Sequence, residues 1–239
     1  MTTIIENFRG FEIGSTEKLS LAQKEALLQG IQRAPESSLA PLSGRVRPHG
    51  AHIEGLGKVI IKHYHRGGLL WHVNRRTYLR AGSPRCRTEF EMLARVRAAG
   101  VNAPRPIAFA SLSRHFIFYH AWLVTREVPG ARTLAEISRS APEQAPAQAM
   151  SMMRALTAQV GTLIRHGILH VDLHPGNVLA DEDGRVYLID FDRAHISAKS
   201  REGIAGFYLE RWHRAVAKHG LPGFLSESFS QGLKNAQGT

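Results

Sequence analysis

Asp172, Asn177 and Asp190 lie in one stretch, ILHVDLHPGNVLADEDGRVYLIDFDRA, residues 168–194. The stretch reads as a short extended ILH, a loop VDLHPGN, a strand VLA, a turn DEDG and a strand RVYLIDF. Asp183-Gly184 is a good hairpin centre, because glycine accepts the left-handed conformation that tight turns need. Asp172 and Asn177 then fall on the loop entering a two-stranded element, and Asp190 falls at its exit. A carboxylate placed there can take a proton from a hydroxyl. A neutral carboxamide oxygen and a second carboxylate suit a hard divalent cation. That equipment matches phosphoryl transfer, which needs an aligned hydroxyl, metal on the phosphate oxygens and fixed positive charge. Two other uses of the same residues stay open. His170, Asp172 and His174 could be ligands of a metal, or Asp172 and Asn177 could simply cap a turn.

A cationic arm is expected upstream. VIIK ends in Lys62 on a predicted strand, with AHI and KVIIKHY flanking EGLG as a hairpin. SPRCRTEFEMLARVRAAG (83–100) predicts a helix, with Ser83 as N-cap, Pro84 in the first turn and Gly100 as the stop. Met92, Leu93 and Val96 form its apolar stripe, and Glu89 points inward with them. An inward carboxylate needs a cationic partner, and Lys62 is the candidate. Glu91 is expected to pair with Arg95 on the wet side.

Elsewhere, residues 1–30 read as a peripheral lead-in, and 33–50 and 139–148 as Pro- and Ser-bearing connections. AQAMSMMRALTAQVGTLIRHGI (147–168) predicts a second helix with Met150, Met153, Val160, Leu163 and Ile164 toward the core. A last helix carries Ile204, Tyr208, Trp212 and Val216 on one stripe, with Arg211, Arg214 and Lys218 nearby. It is expected to close a core first and meet lipid second.

The chain of 239 residues can form one large domain or two modest lobes. One cysteine, Cys86, excludes an intramolecular disulfide and fits a reducing compartment. No signal pattern or long apolar run is read, so a cytosolic chain that spans nothing is expected. Net charge is +11, and residues 58–97 hold ten Lys/Arg against two acids, +8 of that total. Such a surface suits a polyanion, whether nucleic acid, anionic lipid or a phosphorylated substrate, or serves only solubility. Nucleic acid leaves the carboxylate set unexplained, and no nucleic-acid partner is expected.

HVDLHPGN followed by IDFD, with VIIK and a helix glutamate before them, resembles the protein-kinase-like fold. The resemblance implies an α+β, bilobal architecture. An N-lobe (1–128) would hold an antiparallel sheet and one helix, and a short, mainly helical C-lobe (129–239) the catalytic loop. It also implies ATP and Mg²⁺, with Lys62 on the phosphates, Glu89 paired to it, Asp172 as base, and Asn177 and Asp190 as metal ligands. Backbone around Glu127 and Val128 in AWLVTREVPG would meet adenine. His170 would be a structural side chain. The chain departs from protein kinases in several places. Gly44 and Gly50 alone punctuate the phosphate-covering turn, Val171 stands where Arg is common, and Asp192 replaces the Gly of D-F-G. No A-P-E follows, and little room remains for binding a peptide.

Closer resemblance is to bacterial lipopolysaccharide-core sugar kinases, especially the 3-deoxy-D-manno-octulosonic acid (Kdo) kinases. KHYHRGGLLWHVNRRTYL, PRCRTEFEMLARVRAAGVNAPRPIA, YLIDFDRA and LERWHRAVAKHG carry it. It implies ATP-dependent phosphorylation of a Kdo hydroxyl on a lipid A precursor, at the cytoplasmic face of the inner membrane. Arg66, Arg75, Arg76, Arg80, Arg85 and Arg87 could hold the acceptor's anionic groups. Trp71, Tyr78 and Leu79 could sit at the headgroup boundary as a peripheral membrane contact, or pack under the lobe. A heptose kinase, an aminoglycoside- or choline-type phosphotransferase, and a catalytically silent kinase-like binding module are the alternatives. Oligomeric state is not legible.

Overall fold

The computed structural model describes residues 2–33, 49–64, 78–79, 83–114, 118–140 and 146–237. Its contacts divide into two units, residues 1–94 with 105–127, and residues 95–104 with 128–239.

The first unit holds strands β1 (Ile4–Phe8), β2 (Phe11–Ser15), β3 (His49–Ile53), β4 (Gly57–His63), β5 (Tyr78–Leu79), β6 (Pro106–Arg114) and β7 (Phe118–Arg126). They form one sheet in the order β1-β2-β6-β7-β4-β3, with β5 also on β7, and every pairing is antiparallel. The expected hairpin is β3–β4, with Ala51 opposite Val59. Helix α1 (Leu21–Arg33) buries Leu27, Leu28 and Ile31. They join a core with Ile13, Val59, Ile61 and Val124 from the sheet. Phe90 of helix α2 (Arg85–Ala98) meets Phe109 edge-on at 5.3 Å.

Four expectations are corrected here. Residues 1–30 are no lead-in: β1 and β2 extend the sheet through β6, and α1 closes a core. The β1–β2 turn, Arg9-Gly10, has φ of 50° and 82°, so a left-handed pair is built without the usual Asn-Gly signal. Gly50 lies inside β3 opposite Ile60 rather than in a turn. Glu91 pairs with Arg87, at 2.8 Å, and not with Arg95. Both arginines lie one helical turn from Glu91, and it is Arg87 whose Nε reaches it. Helix α2 itself starts one residue later than read, since the Pro84 carbonyl accepts from the Arg87 and Thr88 amides. Arg66, Trp71, Arg75, Arg76, Arg80 and Gly44 lie outside the described residues.

The second unit comprises β8 (Arg132–Thr133), α3 (Leu134–Ser140), α4 (Pro146–Arg165), β9 (Ile168–Leu169), β10 (Val178–Ala180), β11 (Val186–Leu188), β12 (His195–Ile196), α5 (Arg201–Lys218) and α6 (Phe224–Gln237). Small sheets β11-β10-β8 and β12-β9 flank the helices. Helix α4 buries Met152, Met153, Leu156, Val160, Leu163 and Ile164. Met150 is a correction, being 37% exposed. It lies off the stripe that Ala149 and Met153 begin, and its sulfur accepts from Ser228 Oγ at 3.0 Å. Helix α6, unread in the sequence, packs on α5 through Trp212 stacked on Phe229 at 4.4 Å.

Candidate active site

In the first unit, β4 carries Lys62 and α2 carries Glu89. Lys62 Nζ donates to both Glu89 oxygens, at 3.1 and 2.8 Å. Glu89 is 2% exposed while the lysine is 28% exposed, so the pair is anchored from inside and its cationic end keeps a face to solvent. Tyr64, unmentioned by sequence reasoning, also donates its hydroxyl to Glu89. Burial first, and the adjoining carboxylate second, hold the Tyr64 phenol well above its ordinary pKa, so it stays a neutral donor. Two residues past Lys62 on an alternating strand is the signal that could have found it. Arg85 lies over the Tyr64 ring, 5.7 Å from its centroid. At the end of β7 the Glu127 amide donates to the Lys58 carbonyl and the Val128 carbonyl accepts from Ala131.

In the second unit, β9 leads into the loop that carries Asp172 and Asn177. His174 caps the short 3-10 turn Pro175–Asn177, its Nδ1 accepting the Gly176 amide at 3.0 Å. A Cβ on Gly176 would come within 2.9 Å of that ring, which is the reason for glycine there. Asn177 Nδ2 donates to the Asp172 carbonyl at 2.9 Å, leaving the carboxamide oxygen as the acceptor end. The Ile189 amide donates to the Asn177 carbonyl at 3.1 Å, bringing the exit of β11 beside this loop. Asp190 follows directly, in the left-handed region at φ 65°. That conformation is uncommon for a side chain larger than glycine, although Asp tolerates it better than most.

His170 is structural, as expected. It is buried, its ring lies tilted against Phe191 with centroids 4.6 Å apart, and its Nε2 engages the Ile189 carbonyl at 2.9 Å. Its Nε2 and the His174 Nδ1 therefore serve the backbone, and no group of three or more His, Cys, Asp or Glu is placed to hold a metal among the described residues. The alternative in which His170, Asp172 and His174 ligate a metal loses its geometry.

Two site residues come from α5. Tyr208, fully buried, accepts the His170 amide at 2.9 Å and donates to the Ile168 carbonyl at 2.8 Å. Arg211, three positions on, donates through Nη2 to Asp172 Oδ1 at 2.9 Å. The sequence placed Tyr208 in the core correctly, but nothing local pairs an arginine with an aspartate 39 positions away.

The fold and these groups define a kinase-like protein. The WaaP chain in a solved structure of WaaP in complex with acyl carrier protein shares the fold, with a TM-score of 0.56 at 19% identity over 81% of this chain and 76% of that one. A family model, Lipopolysaccharide kinase (Kdo/WaaP) family, matches residues 49–221. A 3-deoxy-D-manno-octulosonic acid kinase of Vibrio cholerae serotype O1 is 33% identical over 165 residues, 67% of this chain and 68% of that one. Its counterparts in Vibrio parahaemolyticus and Stenotrophomonas maltophilia are 33% and 34% identical over 56% and 59% of this chain, and the matches span 54% of each of them. The chain belongs to the lipopolysaccharide kinase (Kdo/WaaP) family. It is accordingly a phosphotransferase with a hydroxyl group as acceptor.

Proposed function

We propose that the protein transfers the γ-phosphate of ATP to a hydroxyl of 3-deoxy-D-manno-octulosonic acid on a lipid A precursor, as a peripheral enzyme at the cytoplasmic face of the inner membrane. The observation that carries the chemistry is the Asp172–Asn177 loop, where one hydrogen bond fixes the carboxamide with its oxygen available. Similarity to Kdo kinases over two thirds of the chain supports the choice of acceptor.

In this reading Asp172 accepts the proton of the acceptor hydroxyl at a carboxylate oxygen while the new O–P bond forms and the bond to the ADP oxygen breaks. Lys62, oriented by Glu89 and Tyr64, supplies positive charge to the donor phosphates. Asn177 and Asp190 offer a carboxamide and a carboxylate oxygen, a donor set that fits Mg²⁺ when phosphate and water complete its shell. A bound magnesium ion would neutralise charge that develops on the phosphate oxygens. The Glu127 carbonyl and Val128 amide are the strand-end groups assigned to adenine. Residues 1–128 and 129–239 are the lobes of this reading.

The test is transfer of γ-labelled phosphate from ATP·Mg²⁺ to Kdo-bearing lipid A precursor, beside a heptose-bearing core and an Asp172→Asn control. Label on the Kdo lipid, reduced roughly 10²–10⁴-fold in the variant as for loss of a general base, is expected. Label on heptose alone, or none on either, overturns the acceptor.

A further inference from the structure

Asp172 opens onto a cavity of about 200 Å³ lined by Val171, Arg193, Phe207, Glu210, Arg211 and Arg214. Its charges do not cancel. Arg211 holds Asp172 and Arg214 holds Glu210, whereas Arg193 is exposed and makes no ion pair among the described residues. One positive charge is left over. Arg211 is also incompletely used: its Nε is out of solvent and has no hydrogen-bond partner among the described residues. A buried donor without an acceptor is costly, so the arrangement that binds Asp172 through a single Nη leaves this guanidinium short of an acceptor. Val171 and Phe207 supply the apolar wall that a sugar ring or its deoxy carbon can lie against.

A cavity with one surplus positive charge, an unsatisfied guanidinium and the candidate base at its edge is built for an acceptor bearing one carboxylate. We propose that it is the acid-binding subsite for the sugar acceptor, in which Arg193 and Arg211 receive the carboxylate and Arg211 turns from Asp172 to do so. Arg211 is then a specificity-determining residue. With the site empty it occupies one oxygen of the base, and an acidic acceptor releases that oxygen while a neutral sugar does not. Arginine suits this role because its planar fork presents several donors that can be shared between two carboxylates. The inference rests on the Kdo-kinase reading for the identity of the acid.

The experiment measures binding of free 3-deoxy-D-manno-octulosonic acid and of its carboxamide to the full chain by calorimetry, for wild type, Arg193→Gln, Arg193→Lys and Arg211→Gln. Wild type is expected to bind the acid at least about tenfold tighter than the amide, the scale of one charge-assisted hydrogen bond. Arg193→Gln and Arg211→Gln are each expected to lose about that factor for the acid and to leave the amide unchanged. Arg193→Lys should recover part of it. Arg193 is exposed, and an unchanged melting curve shows that its variants fold. Equal binding of acid and amide by wild type, or an acid affinity untouched in Arg193→Gln, overturns the subsite.

Phosphate transfer to the Kdo lipid separates the two readings. Transfer with an unchanged KM in Arg193→Gln keeps the kinase reading and removes the subsite. Acid-selective binding lost in the variants, without transfer, keeps the subsite and removes the acceptor reading.

Discussion

Tyr208 and His170, 38 positions apart in sequence, are joined by a 2.9 Å hydrogen bond from the His170 amide to the tyrosine hydroxyl. The same hydroxyl donates to Ile168, so one buried oxygen satisfies two backbone groups at the entrance to the Asp172 loop. Tyr208→Phe strands both. A loss of roughly 1–3 kcal/mol, the desolvation of groups left unpaired, is expected in urea unfolding. Activity should fall with it, because the loop that sets Asp172 loses its tether. An unfolding midpoint equal to wild type would show that the tether contributes nothing.

Glu89→Gln keeps the shape of the buried side chain but removes the charge that holds Lys62. The expected outcome is a fall of about 10- to 100-fold in kcat/KM for the phosphate donor, the range of a charge-assisted hydrogen bond lost. Tyr64→Phe should cost less, since Lys62 keeps its carboxylate. Steady-state kinetics with varied ATP checks both, and equal kinetics for Glu89→Gln and wild type would remove Lys62–Glu89 from the donor site.

Stability should decline on the alkaline side. Burial pushes the Cys86 thiol from 9.0 up to about 12 and raises the Tyr64 and Tyr208 phenols. All three therefore ionise at lower pH in the unfolded chain than in the folded one, and the unfolded chain is stabilised as its protons leave. The contribution is complete below the unfolded pKa values, near 9–10, and is lost as pH rises through the folded ones. Urea midpoints are expected to be level from about pH 7 to 8 and to fall above about pH 9, with a shallower fall in Cys86→Ala. A midpoint that rises across that interval would contradict the assignment.

Gly14 tests the N-terminal hairpin. A Cβ there would sit 2.0 Å from the Phe109 ring, which is itself wedged against Phe90. Gly14→Ala should destabilise by roughly 1–3 kcal/mol, the usual cost of overpacking, read as a lower melting temperature. A peripheral lead-in would tolerate the methyl group without change.

Association with membranes should be electrostatic. No helix of the described residues is long and apolar enough to cross a bilayer, while the chain carries a net charge of +11. Cosedimentation with anionic vesicles is expected at low salt and should fade toward physiological ionic strength, where charges are screened beyond about 8 Å. Protein left in the supernatant at low salt would remove the membrane contact.

What could be read in advance was local. The β3–β4 hairpin, the helix bearing Glu89 and the Asp183-Gly184 turn each announce themselves within a few residues, through alternation, caps and glycine. Glu89 was legible because an inward carboxylate demands a cation and Lys62, at the end of VIIK, was available on the strand. The β1–β2 hairpin hid because its turn is Arg9-Gly10, and β6 because an edge becomes a sheet centre only when β2 is known to pair there. Arg211 hid for a different reason. Its helix stripe was read correctly, but the partner lies in another element, and charge on a wet helical face carries no sign of what it will meet.

The Tyr208–Arg211 interval has a consequence for how this helix can vary. Successive residues of an α-helix are about 100° apart around its axis, so the three-residue step fixes an angle between an inward anchor and a rim cation. One residue inserted between them would swing Arg211 a further roughly 100° around the axis while Tyr208 stayed bound beneath the loop. The helix behaves like a key whose teeth are cut at set rotations. Within those three positions a change in length would leave the lock fitted and the last tooth facing away.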